Sequence, residues 1–231
     1  MSTLPNILYE DNHLIAINKE PGEIVQGDKT GDEPMSDRLK EYLRVKYDKP
    51  GEAFLGTIHR IDRPVSGVVL FAKTSKALRR MNEQFRERQV SKTYYAVVKN
   101  KPEQPSATLI NWINKNEKNN KASAFDKEVA GSTRAELNYE LTMSSDQYHL
   151  LKITPITGRH HQIRVQLSKI GCPIKGDLKY GARRSNKDAS IHLHAHEIKF
   201  MHPVNKHEKI IIAPPPDDPL WNHFKSIMNE G

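Results

Sequence analysis

One carboxylate sits among three cations in the stretch HRIDRPVSG, residues 59–67. Asp62 is flanked by His59, Arg60 and Arg63. A carboxylate in a pocket tends to protonate, because burial disfavours charge, and a nearby guanidinium counters this by favouring the ionised form. A fixed, permanently charged aspartate can attack or deprotonate a substrate. The plainer reading of the same residues is an ion pair that serves stability alone. Tyr94 lies in KTYYAVVK, where strand alternation sends Tyr94 and Tyr95 to opposite faces, Tyr95 toward the core. Taken alone, Tyr94 reads as a core aromatic. His192, His194 and His196 alternate along HLHAHEIKF, so a strand would carry all three on one side, and His149, His160 and His161 could join them. Three histidines on one face form a possible zinc site. A cluster of histidines without visible supporting partners is weak grounds for one.

The surroundings of Asp62 exclude two familiar chemistries. Ile61 separates Arg60 from Asp62, and no Gly-rich phosphate loop or Asp-Phe-Gly occurs, so this is not a protein-kinase catalytic loop. Ser66-Gly67 is not a Gly-x-Ser-x-Gly nucleophile elbow.

The net charge of +8 and isoelectric point near 9.4 favour a polyanionic partner, because Lys and Arg neutralise phosphates and release counterions. A length of 231 residues suffices for a substantial core. No apolar run approaches the length of a transmembrane helix. The opening residues reach Glu10 and Asp11 without a basic-then-apolar leader pattern. The single Cys172 excludes an internal disulfide and a multi-cysteine metal site. A cytoplasmic protein is expected.

The elements that must position these residues are legible in part. ILYEDNHLIAINKEPG reads as a hairpin turning at Asp11-Asn12. EPMSDRLKEYLRVKY reads as a helix with Ser36 as candidate N-cap and Leu39, Leu43 and Tyr47 on one face. GVVLFAKT is a buried strand. A helix capped by Thr74 or Ser75 follows, with Leu78, Met81 and Phe85 as its core stripe. KTYYAVVK is a strand, and residues 134–158 hold two strands joined at Ser144-Ser145-Asp146. The Asn- and Lys-rich segment 114–128 reads as a flexible basic loop. GRHHQIRVQLSKIG predicts a helix with Ile163, Leu167 and Ile170 inward and Gly171 as its stop. Two late strands precede a final helix that starts at Asp217-Asp218-Pro219 and contains Trp221, Phe224 and Ile227. Paired strands with separate helices, and no regular βαβ alternation, predict one α+β domain over residues 1–231.

The string HRIDRPVSG followed by VVLFAKT resembles the signature motif of the RluA-type RNA pseudouridine synthases. The opening hairpin ending in Lys-x-x-Gly, FRERQVSKTYYAVV (85–98), LLKITPITGRHHQIRVQLSKIGCPIKGDLKYG (150–181) and HLHAHEIKFMHP (192–203) are similar to further family motifs, in the family's order and over most of the chain. Val65 stands where Thr is usual and His160 where Thr or Ser is usual. The segment 114–128 lies outside the common motif set. With the hairpin starting by Ile7, an N-terminal S4-type RNA-binding domain is not expected.

The resemblance implies a pseudouridine synthase fold, with a largely antiparallel mixed central sheet, flanking helices and an active-site cleft. It implies isomerisation of a uridine in structured RNA, large-subunit ribosomal RNA first and transfer RNA second, by a monomer without metal or cofactor. It assigns catalysis to Asp62, Tyr94 and Arg164. Arg164 would pair with the aspartate, and Tyr94 would stack on the base and handle protons. Arg60 would fill the RNA stack when the base flips out, which costs a few kcal/mol. His59, Arg60, Arg63, Lys92, Arg159, His161 and Gln162 are the expected RNA-binding residues. A noncatalytic RNA-binding protein of the same fold and a metal-dependent hydrolase built on the alternating histidines are the rival readings.

Overall fold

The computed structural model of the chain describes residues 5–27 and 31–228, with side chains as far as Lys225. In chain order the elements are β1 (Ile7–Glu10), β2 (Leu14–Lys19), α1 (Met35–Lys46), β3 (Gly56–Thr57), β4 (Ser66–Ala72), α2 (Ser75–Arg86), β5 (Ser91–Val98), β6 (Ser106–Asn116), β7 (Lys121–Phe125), β8 (Thr133–Ser144), β9 (His149–Pro155), α3 (Gln162–Lys169), β10 (Leu193–Met201), β11 (Glu208–Ile212) and α4 (Pro219–Met228). A single 3-10 turn covers Leu178–Tyr180. The chain forms two compact units. One holds the residues through Val90 and Ala195–Pro214, and the other holds Ser91–His194 and the residues from Pro215.

In the first unit the sheet runs β1-β2-β4-β10, with β3 on β4 and β11 on β10. The β1–β2, β2–β4, β3–β4 and β10–β11 ladders are antiparallel. Every residue of β4 is buried, as expected for an apolar run with both faces covered. Ile15, Ile17, Val69 and Phe71 pack against Met35, Leu39 and Leu43 of α1. Gly67 opens β4 at φ +116°, where a Cβ would stand 2.2 Å from the Ala195 carbonyl oxygen. Only glycine lets β10 approach the strand that leaves the Asp62 loop.

The second unit is the antiparallel sheet β5-β9-β8-β6-β7. Tyr95, Val97 and Leu150 pack against Trp221 and Phe224 of α4, and the side chain of Ile227 lies outside the described residues. Ile113, Ala122, Ala135, Val165 and Tyr180 form a second cluster, with α3 contributing Val165.

Five local expectations are corrected. The N-cap of α1 is Pro34, and Ser36 is a buried first-turn residue whose hydroxyl reaches Asp37 instead. Tyr47 ends exposed, because its hydroxyl donates to Glu10 at 2.7 Å. On α2, which Thr74 caps by accepting the Ala77 N–H, the innermost residues are Ala77, Met81 and Gln84. The Gln84 amide is inside because it pairs with both backbone groups of Met201, at 2.8 and 3.1 Å. On α3, Ile170 lies past the helix end and is exposed. The segment 114–128 is no loop: β6 and β7 pair from Trp112↔Phe125 to Asn116↔Lys121. Its asparagines are turn chemistry. Asn116 and Asn119 side-chain oxygens accept the N–H groups of Lys118 and Lys121, and Asn120 sits at φ +49°.

Candidate active site

The Asp62 segment is held from beneath by Lys19, the last residue of β2. Its side chain is fully buried. The ammonium donates to three backbone carbonyls, those of Glu20 (2.9 Å), Glu23 (3.0 Å) and Arg63 (3.0 Å). The Gly22 N–H adds a bond to the Arg63 carbonyl at 2.8 Å. The Val65 N–H closes the turn on the Asp62 carbonyl at 3.0 Å. Burial pulls the Lys19 pKa down, the charges of Glu23, Asp62 and Glu20 push it up and Arg63 opposes them, leaving it at about 8. A buried cation that satisfies three carbonyls therefore sits within electrostatic reach of the half-buried Asp62.

The three cations flanking Asp62 have separate situations. His59 accepts the Leu70 N–H on Nε2 at 3.1 Å and stacks on Phe85 with ring centroids 5.3 Å apart, so its imidazole ties the loop to β4 and α2. Arg63 is exposed and ion-paired with Asp32. Arg60 is exposed and makes no hydrogen bond or ion pair among the described residues.

In the second unit, β5 alternation puts Lys92 and Tyr94 on one face, both half-buried, while Tyr95 turns into the core at 2 % exposure. Burial lowers the Lys92 pKa, and its Nζ lies 3.8 Å from where a side chain at Gly158 would begin. Gly158 belongs to the turn Thr157–His161 that enters α3. Gln162 builds that turn. Its Oε1 accepts from the Thr157 hydroxyl (2.7 Å) and the Arg159 N–H (2.9 Å), and its Nε2 donates to the Glu136 carbonyl (3.0 Å). At 4 % exposure its amide is spent within the protein. His161 caps α3 from the left-handed region at φ +52°, buried and stacked on His160 at 3.8 Å. A buried non-glycine residue in that conformation is held there by its surroundings. Arg159 is exposed, with Nε donating to the Arg134 carbonyl at 3.1 Å.

Arg164, on the first turn of α3, is 5 % exposed. Its Nε and Nη2 donate to the two carboxylate oxygens of Asp177 at 2.7 and 2.9 Å, and its Cζ lies 5.0 Å over the Tyr180 ring. Lys19, Asp177 and Tyr180 carry these arrangements, and sequence reasoning gave them no role. Their one sequence signal is that each falls inside a stretch similar to a family motif.

The alternating histidines do not make a ligand set. His192 uses Nδ1 on Asn186 (2.9 Å) and Nε2 on Asp218 (3.0 Å), and His196 uses Nδ1 on the Ala213 carbonyl (3.1 Å). Among the described residues no three His, Cys, Asp or Glu side chains converge as a metal site.

The family model for RNA pseudouridylate synthase matches residues 13–169, an interval that contains Lys19, Asp62, Tyr94 and Arg164. The chain belongs to the RNA pseudouridylate synthase family. Relatives in this family include the ribosomal large subunit pseudouridine synthase C of Vibrio parahaemolyticus, 36% identical over 90% of this chain and 65% of the relative. The protein of the same name in Haemophilus ducreyi is 34% identical over 96% of this chain and 68% of the relative. The chain spans 65% of the length of the two Vibrio relatives it matches at 36% and 37% identity. Human RNA pseudouridylate synthase domain containing 4 superposes with a TM-score of 0.78 at 25% identity, over 97% of this chain and 93% of that one. The fold is also that of human RNA pseudouridylate synthase domain containing 1, with a TM-score of 0.73 at 20% identity. No helix among the described residues is long and apolar enough to cross a membrane.

Proposed function

We propose that this chain isomerises a uridine in structured RNA to pseudouridine, with large-subunit ribosomal RNA as the substrate. The observation that carries the reading is the family match over residues 13–169. The relatives named as ribosomal large subunit pseudouridine synthases favour that RNA over transfer RNA. The net charge of +8 suits a phosphate-rich partner.

The reaction breaks N1–C1′ and joins C5 to C1′. The base gains a proton at N1 and loses one from C5, so substrate and product are isomers and nothing is oxidised. Asp62 is the carboxylate that attacks or deprotonates the sugar, and must act in its charged form. Lys19 holds the backbone of its loop, through the Arg63 and Glu23 carbonyls. Tyr94 stacks on the uracil and handles the C5 proton. Arg164 keeps the catalytic aspartate ionised, and Asp177 fixes the orientation of its guanidinium. Arg60 enters the RNA stack as the uridine leaves it. Arg63, Lys92 and Arg159 meet phosphates. His59, His161 and Gln162 serve RNA binding by setting the loops that carry those cations.

The test is tritium release from ribosomal RNA transcribed in vitro with uridine labelled at C5, since that hydrogen is lost only when the new C–C bond forms. The wild-type chain should release tritium. Asp62→Asn should release none and still bind the RNA. Binding without release by the wild type would favour the noncatalytic RNA-binding reading.

A further inference from the structure

Tyr180 joins three parts of the second unit. Its hydroxyl accepts the Ala122 N–H of β7 at 2.8 Å and lies 2.8 Å from His161 Nδ1. A backbone N–H can only donate, which leaves the phenolic hydrogen available to the imidazole nitrogen. The same ring lies under the Arg164 guanidinium, 5.0 Å from its Cζ, and its plane stands edge-on to His161. Tyr180 is 4 % exposed, so both hydrogen bonds form away from water, where leaving either partner unsatisfied is costly.

The β6–β7 hairpin at the other end of this connection is an exposed cationic element. Lys115, Lys118 and Lys121 are all exposed, and Lys115 pairs with Glu117. The residue before Tyr180, Lys179, donates to the Asn120 carbonyl in the hairpin turn at 3.1 Å, and Lys121 Nζ lies 5.5 Å over the Tyr180 ring. The 3-10 turn therefore holds the hairpin turn through Lys179 and the start of β7 through Tyr180. A phosphate backbone drawn to Lys118 and Lys121 pulls on the strand whose Ala122 N–H ends on the tyrosine that underlies Arg164.

We propose that Tyr180 is a positioning residue that couples docking of the RNA backbone on the β6–β7 hairpin to the setting of Arg164. The proposal rests on the reading of this chain as an RNA-modifying enzyme, and it adds a second contact region and a route from it to the site. The hairpin lysines then serve the rate of the reaction as well as affinity.

Tyr180→Phe removes the hydroxyl and leaves the ring, its burial and the contact with Arg164. Single-turnover rates at saturating ribosomal RNA are compared for wild type, Tyr180→Phe, the pair Lys118→Glu with Lys121→Glu, and the triple variant. The expected result is a loss of about tenfold for Tyr180→Phe with RNA affinity held within about twofold. The triple variant should be no slower than the lysine pair alone, because one connection is cut twice. Losses that multiply, a loss confined to affinity, or a wild-type rate in Tyr180→Phe would overturn the coupling. A second readout is independent of turnover. The Arg164 Nε–H resonance should move on adding the RNA to the wild type and stay in place in Tyr180→Phe. An equal movement in both proteins would reject the role of Tyr180 even if the chain were found to release no tritium, and that finding would itself reject the functional reading.

Discussion

The Arg164 guanidinium is clamped edge-on by Asp177, Nε to Oδ2 at 2.7 Å and Nη2 to Oδ1 at 2.9 Å, and the carboxylate is 1 % exposed. A two-pronged bond of this kind fixes the plane of the guanidinium as well as its position. Asp177→Asn keeps the volume and removes the charge. Breaking one side of a buried pair costs about 3–5 kcal/mol, because the remaining charge loses its compensation. Urea unfolding should show a loss of that order, and the surviving folded protein should turn over more slowly while keeping its RNA affinity.

Lys19 predicts opposite pH trends for stability and rate. Its folded pKa of about 8 lies below the ordinary value of 10.5. Between those two values the unfolded chain holds the proton more often than the folded one, so this group makes stability rise with pH across the window. Deprotonation also removes one of the three N–H donors and the positive charge facing Asp62. The single-turnover rate should therefore fall through about pH 8 while the contribution of Lys19 to stability grows. Lys19→Arg should move the alkaline limb upward or remove it, since a guanidinium keeps its proton. An alkaline limb that stays in place in Lys19→Arg would assign it to another group.

Arg60 makes no hydrogen bond or ion pair among the described residues, so Arg60→Ala should leave the unfolding free energy within about 0.5 kcal/mol of wild type. Its effect should appear on RNA. The rate loss should be larger on a uridine stacked in a stem-loop than on one in a flexible strand, where extrusion is already favourable. A base analogue beside the target reports unstacking. Equal losses on both RNAs with normal unstacking would place Arg60 in the chemical step instead.

RNA affinity should fall linearly with salt on logarithmic axes, at about 0.7–0.9 per phosphate neutralised. Replacing Lys118 and Lys121 together by Ala should flatten that slope by the same amount for each lysine that meets a phosphate. A slope identical to wild type would mean that the hairpin lysines face solvent only.

The sequence was most informative where a local rule was also a global one. The Asp11 turn, the buried β4 and the opposite facing of Tyr94 and Tyr95 are each set by apolar patterning, alternation or turn chemistry within a few residues, and each is seen in the structure. It misled where a distant partner overrode local character. Gln84 reads as a surface residue, yet it is inside because its amide bonds both backbone groups of Met201 on β10. The segment 114–128, most of it in the β6–β7 hairpin, reads as a loop from sequence because its Asn and Lys content resembles disorder. What orders it is Ala122 under Tyr180 and Gln166 of α3, which donates to the Leu109 carbonyl and to Asn111. The same limit applies to the site. Asp62 announces itself by its neighbours in sequence, whereas Lys19 and Asp177 act through contacts of long sequence separation that no spacing rule encodes.

The first unit is built from two separate stretches of chain, and this orders its assembly in time. A ribosome delivers β1 to α2 first, then makes the whole of Ser91–His194 before β10 and β11 appear. At roughly 5–20 residues per second that is a wait on the order of ten seconds. During it β4 has only the two residues of β3 on the edge that β10 will take, at Phe71 and Ala72, and the notch kept open by Gly67 has nothing to receive. A nascent chain at that stage exposes a largely apolar strand with most of one edge unpaired, the kind of surface that recruits chaperones or sticks to a second nascent copy. The loop bearing Asp62 is among the first segments made, and the Lys19, Gly22 and His59 contacts that hold it come from the same early stretch, so it can be set before the strand that flanks Gly67 arrives.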